Sequence, residues 1–100
     1  RMDWQDELLN SLIYVGVIDE MWPNSPGYEL LMFAIEHEKP ILLIQPPGRP
    51  NPPAEFETFQ GIKLLIRSLN ERGASQRIGC FLQRAGLPAG ATLQFLDRPY

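Results

Sequence analysis

Eight side chains in the first half of the chain are of types that do chemistry or make contacts: Asp19, Glu20, Trp22, Asn24, Ser25, Glu29, Gln45 and Arg49. Asp19, Glu20 and Glu29 are carboxylates, suited to proton transfer or to stabilising positive charge. Trp22 and Arg49 are residue types that the centres of protein interfaces favour. Each residue also has a structural reading. Ser25 precedes Pro26 and suits a helix N-cap, which leaves Glu29 at the positive end of that helix. Trp22 suits a lid over the core, and Asp19 and Glu20 suit solvated loop charges. The sequence gives no separation between the carboxylates, so they do not define a glycosidase pair. His37 lies near a helix C-terminus with no serine or cysteine constellation to serve, and reads as structural. Cys80, the single cysteine, lies in an apolar stretch and reads as inert core. No set of cysteines and histidines offers a metal site, and no cofactor is expected.

The elements that must position these groups follow from periodicity and punctuation. Residues 12–18 are apolar and rich in β-branched and aromatic types, as in a strand buried on both faces of a parallel sheet. A long helix over residues 3–21 competes, opposed by Gly16 and three β-branched residues. Pro23, Asn24, Ser25 and Pro26 make residues 19–25 a loop. A helix over about 26–38 follows, stopped by Pro40, and residues 41–45 form a second apolar strand. Strand, helix and strand in close succession make a βαβ unit with parallel strands and a right-handed crossover. Both strands then end on one edge, where loop 19–25 adjoins the segment after Ile44. In open α/β sheets ligands settle beyond that edge, which is the reason for grouping the eight residues.

The rest of the chain reads as cover. Residues 45–53 hold five of the ten prolines and form a rigid connector, with part in extended polyproline. Asn51 is placed to cap a helix over about 54–72, with Glu55 and Glu57 at its positive end, Arg67 and Arg72 at its negative end, and Gly73 as its stop. Phe56, Phe59, Ile62, Leu65, Ile66 and Leu69 recur at helical spacing, leaving Lys63 and Arg67 for solvent. Residues 76–85 fit either strand or helix; helix is preferred because Arg84, Gly86, Leu87 and Pro88 make a good C-terminal stop. A short helix over residues 3–9 and a third strand over 92–96 complete the expected fold: a small single α/β domain spanning residues 1–100.

Composition bounds function. Apolar residues at 44% and charged residues at 21% fit a globular chain. A net charge of -3 and a pI near 5.0 argue against nucleic acid as a partner. A lone cysteine fits a reducing, cytoplasmic setting, and no apolar run approaches the ~20 residues that span a bilayer. Arg1 ahead of Met2 is compatible with an expression remnant, which would make Met2 the native start.

Gly27, Tyr28, Glu29 and Leu30, with Ala34, Lys39 and Pro40, follow a hydrophobic strand and a polar loop. This order resembles the second half of the nucleoside 2-deoxyribosyltransferase-like and TIR-like α/β folds, over about a third of the chain. The resemblance implies that Glu29 acts on an N-glycosidic bond, as nucleophile or as stabiliser of positive charge on the sugar, with Asp19 lining the pocket. Those enzymes open with a strand, turn and helix for which the chain has no room before Leu12. A complete site of that kind is therefore expected only with a second contributor.

Two functions are carried forward. The first is a small acidic soluble protein that works without catalysis, binding a protein partner as an inhibitor, immunity or adaptor protein. Its contact edge would comprise Asp19, Glu20, Trp22, Asn24, Gln45 and Arg49 beside the proline segment; homo-oligomerisation is compatible with it. The second is an N-glycosidic enzyme, nucleoside deoxyribosyltransferase-like or NAD hydrolase-like, with Glu29 as its catalytic group. The size of the chain ranks the first ahead.

Overall fold

The protein is described from a computed structural model, over residues 12–87. Within that span six elements alternate: β1 (Tyr14–Val17), α1 (Pro26–Glu36), β2 (Ile41–Ile44), α2 (Ala54–Thr58), β3 (Lys63–Ile66) and α3 (Ala74–Arg84). The three strands form one parallel sheet in the order β1-β2-β3. Tyr14 aligns with Ile41 and Lys63, and Val17 with Ile44 and, in turn, Ile66. The expected α/β class with its βαβ unit is therefore what the chain forms. The helix expected over 3–9 and the strand expected over 92–96 lie outside the described residues.

β2 explains the layering. All four of its residues are buried, because the strand is central and covered on both faces. Ile41 and Leu43 face one side, in a cluster with Tyr14, Ile18, Trp22, Leu31, Ala34 and Phe56 beneath α1 and α2. Leu42 and Ile44 face the other side, with Ile66, Ala74, Ile78, Phe81 and Leu82 beneath α3. Each fully buried leucine or isoleucine stabilises the fold by about 1.5–3 kcal/mol relative to exposure. β1 departs from the expectation of burial on both faces. It is an edge strand, with Tyr14 and Gly16 buried, Val15 half-buried and Val17 40% exposed.

The long helix expected over 54–72 is absent, and two elements stand in its place. α2 stops at Thr58, and Lys63 to Ile66 run as the edge strand β3. The apolar residues there form an almost unbroken run, so a helical period and a strand buried on both faces match the same letters. Gly61 decides the matter. The Phe59 ring lies where a Cβ on residue 61 would be, so the chain turns sharply between helix and strand. Lys63 fixes the turn by donating from Nζ to the carbonyls of Phe56 (2.7 Å), which also accepts from the Phe59 N–H, and Glu57 (2.8 Å) at the end of α2. Lys63 is thus no solvent-face residue of a helix. Gly73, expected to close that helix, instead takes a left-handed φ of 79° as the N-cap residue of α3. Asn51 does not cap α2 either; the N-cap is Pro53.

The other helix ends follow their signals. In α3 the Gly86 N–H donates to Gln83 O (3.0 Å) and the Leu87 N–H to Leu82 O (2.9 Å), with Gly86 at φ 88°. Leu87 packs on the cluster beneath α3, completing a Schellman stop. α1 ends the same way without a glycine. Glu38 adopts φ 56°, its N–H donates to Ile35 O (3.1 Å), and the Lys39 N–H donates to Ala34 O (3.0 Å). His37 is the C-cap residue, with its ring 4.2 Å from that of Phe33.

Candidate functional site

Parallel register brings the loops after β1, β2 and β3 to one edge, where the Ile18 N–H donates to Ile44 O and the Gln45 N–H to Ile66 O. Asp19 to Ser25 form a tight loop there. Asp19 Oδ1 accepts from the Met21 N–H (2.9 Å), Asp19 O accepts from the Trp22 N–H (3.3 Å) and Met21 O accepts from the Asn24 N–H. Trp22, expected on a contact surface, is only 8% exposed. It is the plug of the loop, edge-on to Tyr28 with ring centroids 4.9 Å apart, and the peptide bond to Pro23 is cis. With Trp22 turned inward, Met21 is turned outward and is 66% exposed. Glu20, Pro23 and Asn24 are exposed around it. Sequence reasoning passed over Met21, although a loop plugged by one apolar residue displays its neighbours.

Ser25 holds the N-cap position of α1 with extended backbone and Pro26 in the first turn, as its sequence implies, but its side chain makes no capping bond. Its Oγ is buried without a partner. Asp19 Oδ2 lies close by, 3.9 Å from where a Cβ on Gly27 would sit, so a carboxylate already faces the positive end of the helix. Glu29 is in the first turn of α1 and exposed. Tyr14 reaches the same region from below: its Oη donates to Gly27 O at 3.4 Å, and burial pushes its phenol up to about 12.

Gln45 and Arg49 do different work from that expected of contact residues. Gln45 Nε2 donates to Pro50 O (3.1 Å), Asn51 Oδ1 (3.1 Å) and Arg49 O (3.5 Å), tying the proline segment to the end of β2. Arg49 is half-buried, with its Nε enclosed and unpartnered. Since α1 and α2 share one face and α3 covers the other, adjacent loops part company between β2 and β3. The fork in this edge thus lies between Gln45 and Arg67, one strand away from Asp19.

On the far side of the fork Glu71 takes up the backbone that follows β3. Its Oε1 accepts from the N–H groups of Arg67 and Ser68, and its Oε2 from Arg77 Nη1 (2.8 Å). The bond from the Arg67 N–H above all, then that from Ser68 and the charges of Arg77 and Arg67, hold the carboxyl below its usual value, partly offset by desolvation. Arg77 Nη2 donates to Leu65 O (2.9 Å), so the pair clasps the free edge of β3.

Beside that clasp runs a groove of about 360 Å³ between β3 and α3. It is lined by Lys63, Leu64, Gln76, Arg77, Cys80, Phe81 and Arg84, with no carboxylate among them. Cys80, expected in the core, is exposed here. The helix buries Ala74, Ile78, Phe81 and Leu82, and residue 80 lies off that stripe. The signal for this groove was present in charge order. Residues 12–58 hold Asp19, Glu20, Glu29, Glu36, Glu38, Glu55 and Glu57 against Lys39 and Arg49; residues 59–87 hold Lys63, Arg67, Arg72, Arg77 and Arg84 against Glu71. A net charge for the whole chain conceals this split.

No protein-family model matches the chain, and no match is found among curated proteins or solved structures. Among the described residues no group of three His, Cys, Asp or Glu side chains could hold a metal ion, and no helix is long and apolar enough to cross a membrane.

Proposed function

We propose that the protein acts without catalysis by binding a protein partner through the carboxyl edge of its sheet, in the manner of an inhibitor or adaptor. The observation that carries this is Met21, held 66% exposed at the tip of a loop plugged from inside by Trp22. Displaying a large apolar side chain on a fixed loop costs solvation that a partner would recover, and a pre-organised loop loses little entropy on docking. Methionine adapts its shape to a partner's surface. Glu20 and Asn24 supply a polar rim, and the proline segment tied down by Gln45 is a second rigid ridge on the same edge. In this reading Asp19, Trp22 and Gln45 position the surface, while Glu20, Met21, Asn24 and the exposed part of Arg49 meet the partner.

Met21→Lys tests it, because an exposed loop residue can change without unfolding the chain. Immobilised protein incubated with extract of its native host should retain a defined partner, and Met21→Lys should lose that partner while keeping the parent's thermal midpoint. Identical retention by the two proteins would refute the reading. Glu29 lines neither the β3–α3 groove nor the smaller cavity near Ile35 and Phe59. An N-glycosidic activity would require walls around it. Turnover of a nucleoside or NAD by the unaltered protein, abolished in Glu29→Gln, would displace the binding proposal.

A further inference from the structure

We infer that the groove between β3 and α3 is a second binding site, separate from the Met21 loop, and that it takes an extended acidic peptide with one apolar residue between its acids. Leu64 and Phe81 supply an apolar wall, and Gln76 offers a polar group beside them. The Lys63 ammonium is engaged by the carbonyls of α2, so the cations left to the groove are Arg77 and Arg84. Arg77 commits two N–H donors, to Glu71 and Leu65, out of the five a guanidinium carries. Arg84 makes no ion pair among the described residues and stands in the last turn of α3.

The spacing specifies the ligand. Arg77 and Arg84 are two turns apart on one helix, about 10 Å along its axis. An extended chain advances about 3.3 Å per residue with successive side chains on opposite faces, so acids four positions apart share one face about 13 Å apart, a span two long arginine side chains can reach. The residue midway between them points the same way and would lie over Leu64 and Phe81. The volume of about 360 Å³ is at the small end for a ligand pocket and suits one anchoring side chain. The apolar wall favours a peptide over a nucleic acid, whose phosphates would use only the cations.

Cys80 reports directly on occupancy, being exposed in the groove and the one cysteine of the chain. The probe is a short synthetic peptide with two glutamates four positions apart and a leucine midway between them, so that all three side chains share one face of the extended chain. Alkylation of Cys80 by iodoacetamide, followed by mass spectrometry, should slow saturably as peptide is added. Arg84→Glu should weaken that protection by about tenfold, and a counterpart peptide with lysines for the glutamates should restore it. Arg84→Gln, a milder change, should fall between, and circular dichroism should show both variants folded. Met21→Lys should protect like the parent, so this site and the loop surface succeed or fail separately. Absence of protection, protection indifferent to Arg84→Glu, or equal protection by a single-stranded oligonucleotide of matched charge would overturn the inference.

Discussion

Tyr14 lies across Gly16, and the two residues set the tolerance of β1. A Cβ on Gly16 would sit 2.5 Å from Tyr14 Oη and 2.8 Å from its ring, so Gly16→Ala should cost about 1–3 kcal/mol, measured by denaturant unfolding. Tyr14 also gives the fold an alkaline limit. Its phenol titrates near 10 when unfolded and at about 12 when folded, so the folded state holds the proton more tightly. That contribution is complete below pH 10 and is lost as pH rises through 12, a fall of roughly 1.4 kcal/mol per pH unit between the two. Tyr14→Phe should remove this limb from a plot of unfolding free energy against pH, at little other cost, since the hydroxyl makes only a 3.4 Å bond. Glu38 is the opposite case, a residue with a Cβ in the left-handed region at the end of α1. Glu38→Gly should raise stability by about 0.5–1 kcal/mol, read as a higher denaturation midpoint with unchanged slope.

At the scale of elements, legibility in the sequence followed locality. Ser25-Pro26 and Pro40 bounded α1, Gly86-Leu87 ended α3, and the run Ile41 to Ile44 was a buried strand by its letters, because each signal acts within a turn of where it is written. β3 was hidden because its evidence is distant: Lys63 meets carbonyls six and seven residues back, and Arg77 reaches Leu65 across twelve. The candidate site was legible as a place, the carboxyl edge, and less so as a set of contacts. Whether Trp22 or Met21 turns inward depends on Tyr28 and the core beneath, which no spacing rule contains. The clasp of Glu71 on β3 carries its own test. Glu71→Ala should speed hydrogen exchange at the Arg67 and Ser68 amides while leaving those of Leu42 and Leu43 slow. In the unaltered protein the lowered carboxyl means that this contribution is present above the ordinary carboxyl range and is lost as pH falls below it. Acid should therefore open those two amides first.

Across the whole molecule the sheet separates charge as well as cores. α1 and α2 carry exposed Glu29, Glu36, Glu55 and Glu57 on one face, and α3 carries Arg77 and Arg84 on the other. Copies of the chain should attract one another weakly at low ionic strength despite their shared net charge, and light scattering should show the attraction fade as salt shortens the screening length below ~10 Å. The order of the strands has a consequence of another kind. Because β1, β2 and β3 sit in the sheet in the order in which they are written, each can join an edge already formed, and none must be threaded between two others. A chain emerging from the ribosome could thus complete this sheet one strand at a time, from its first strand onward.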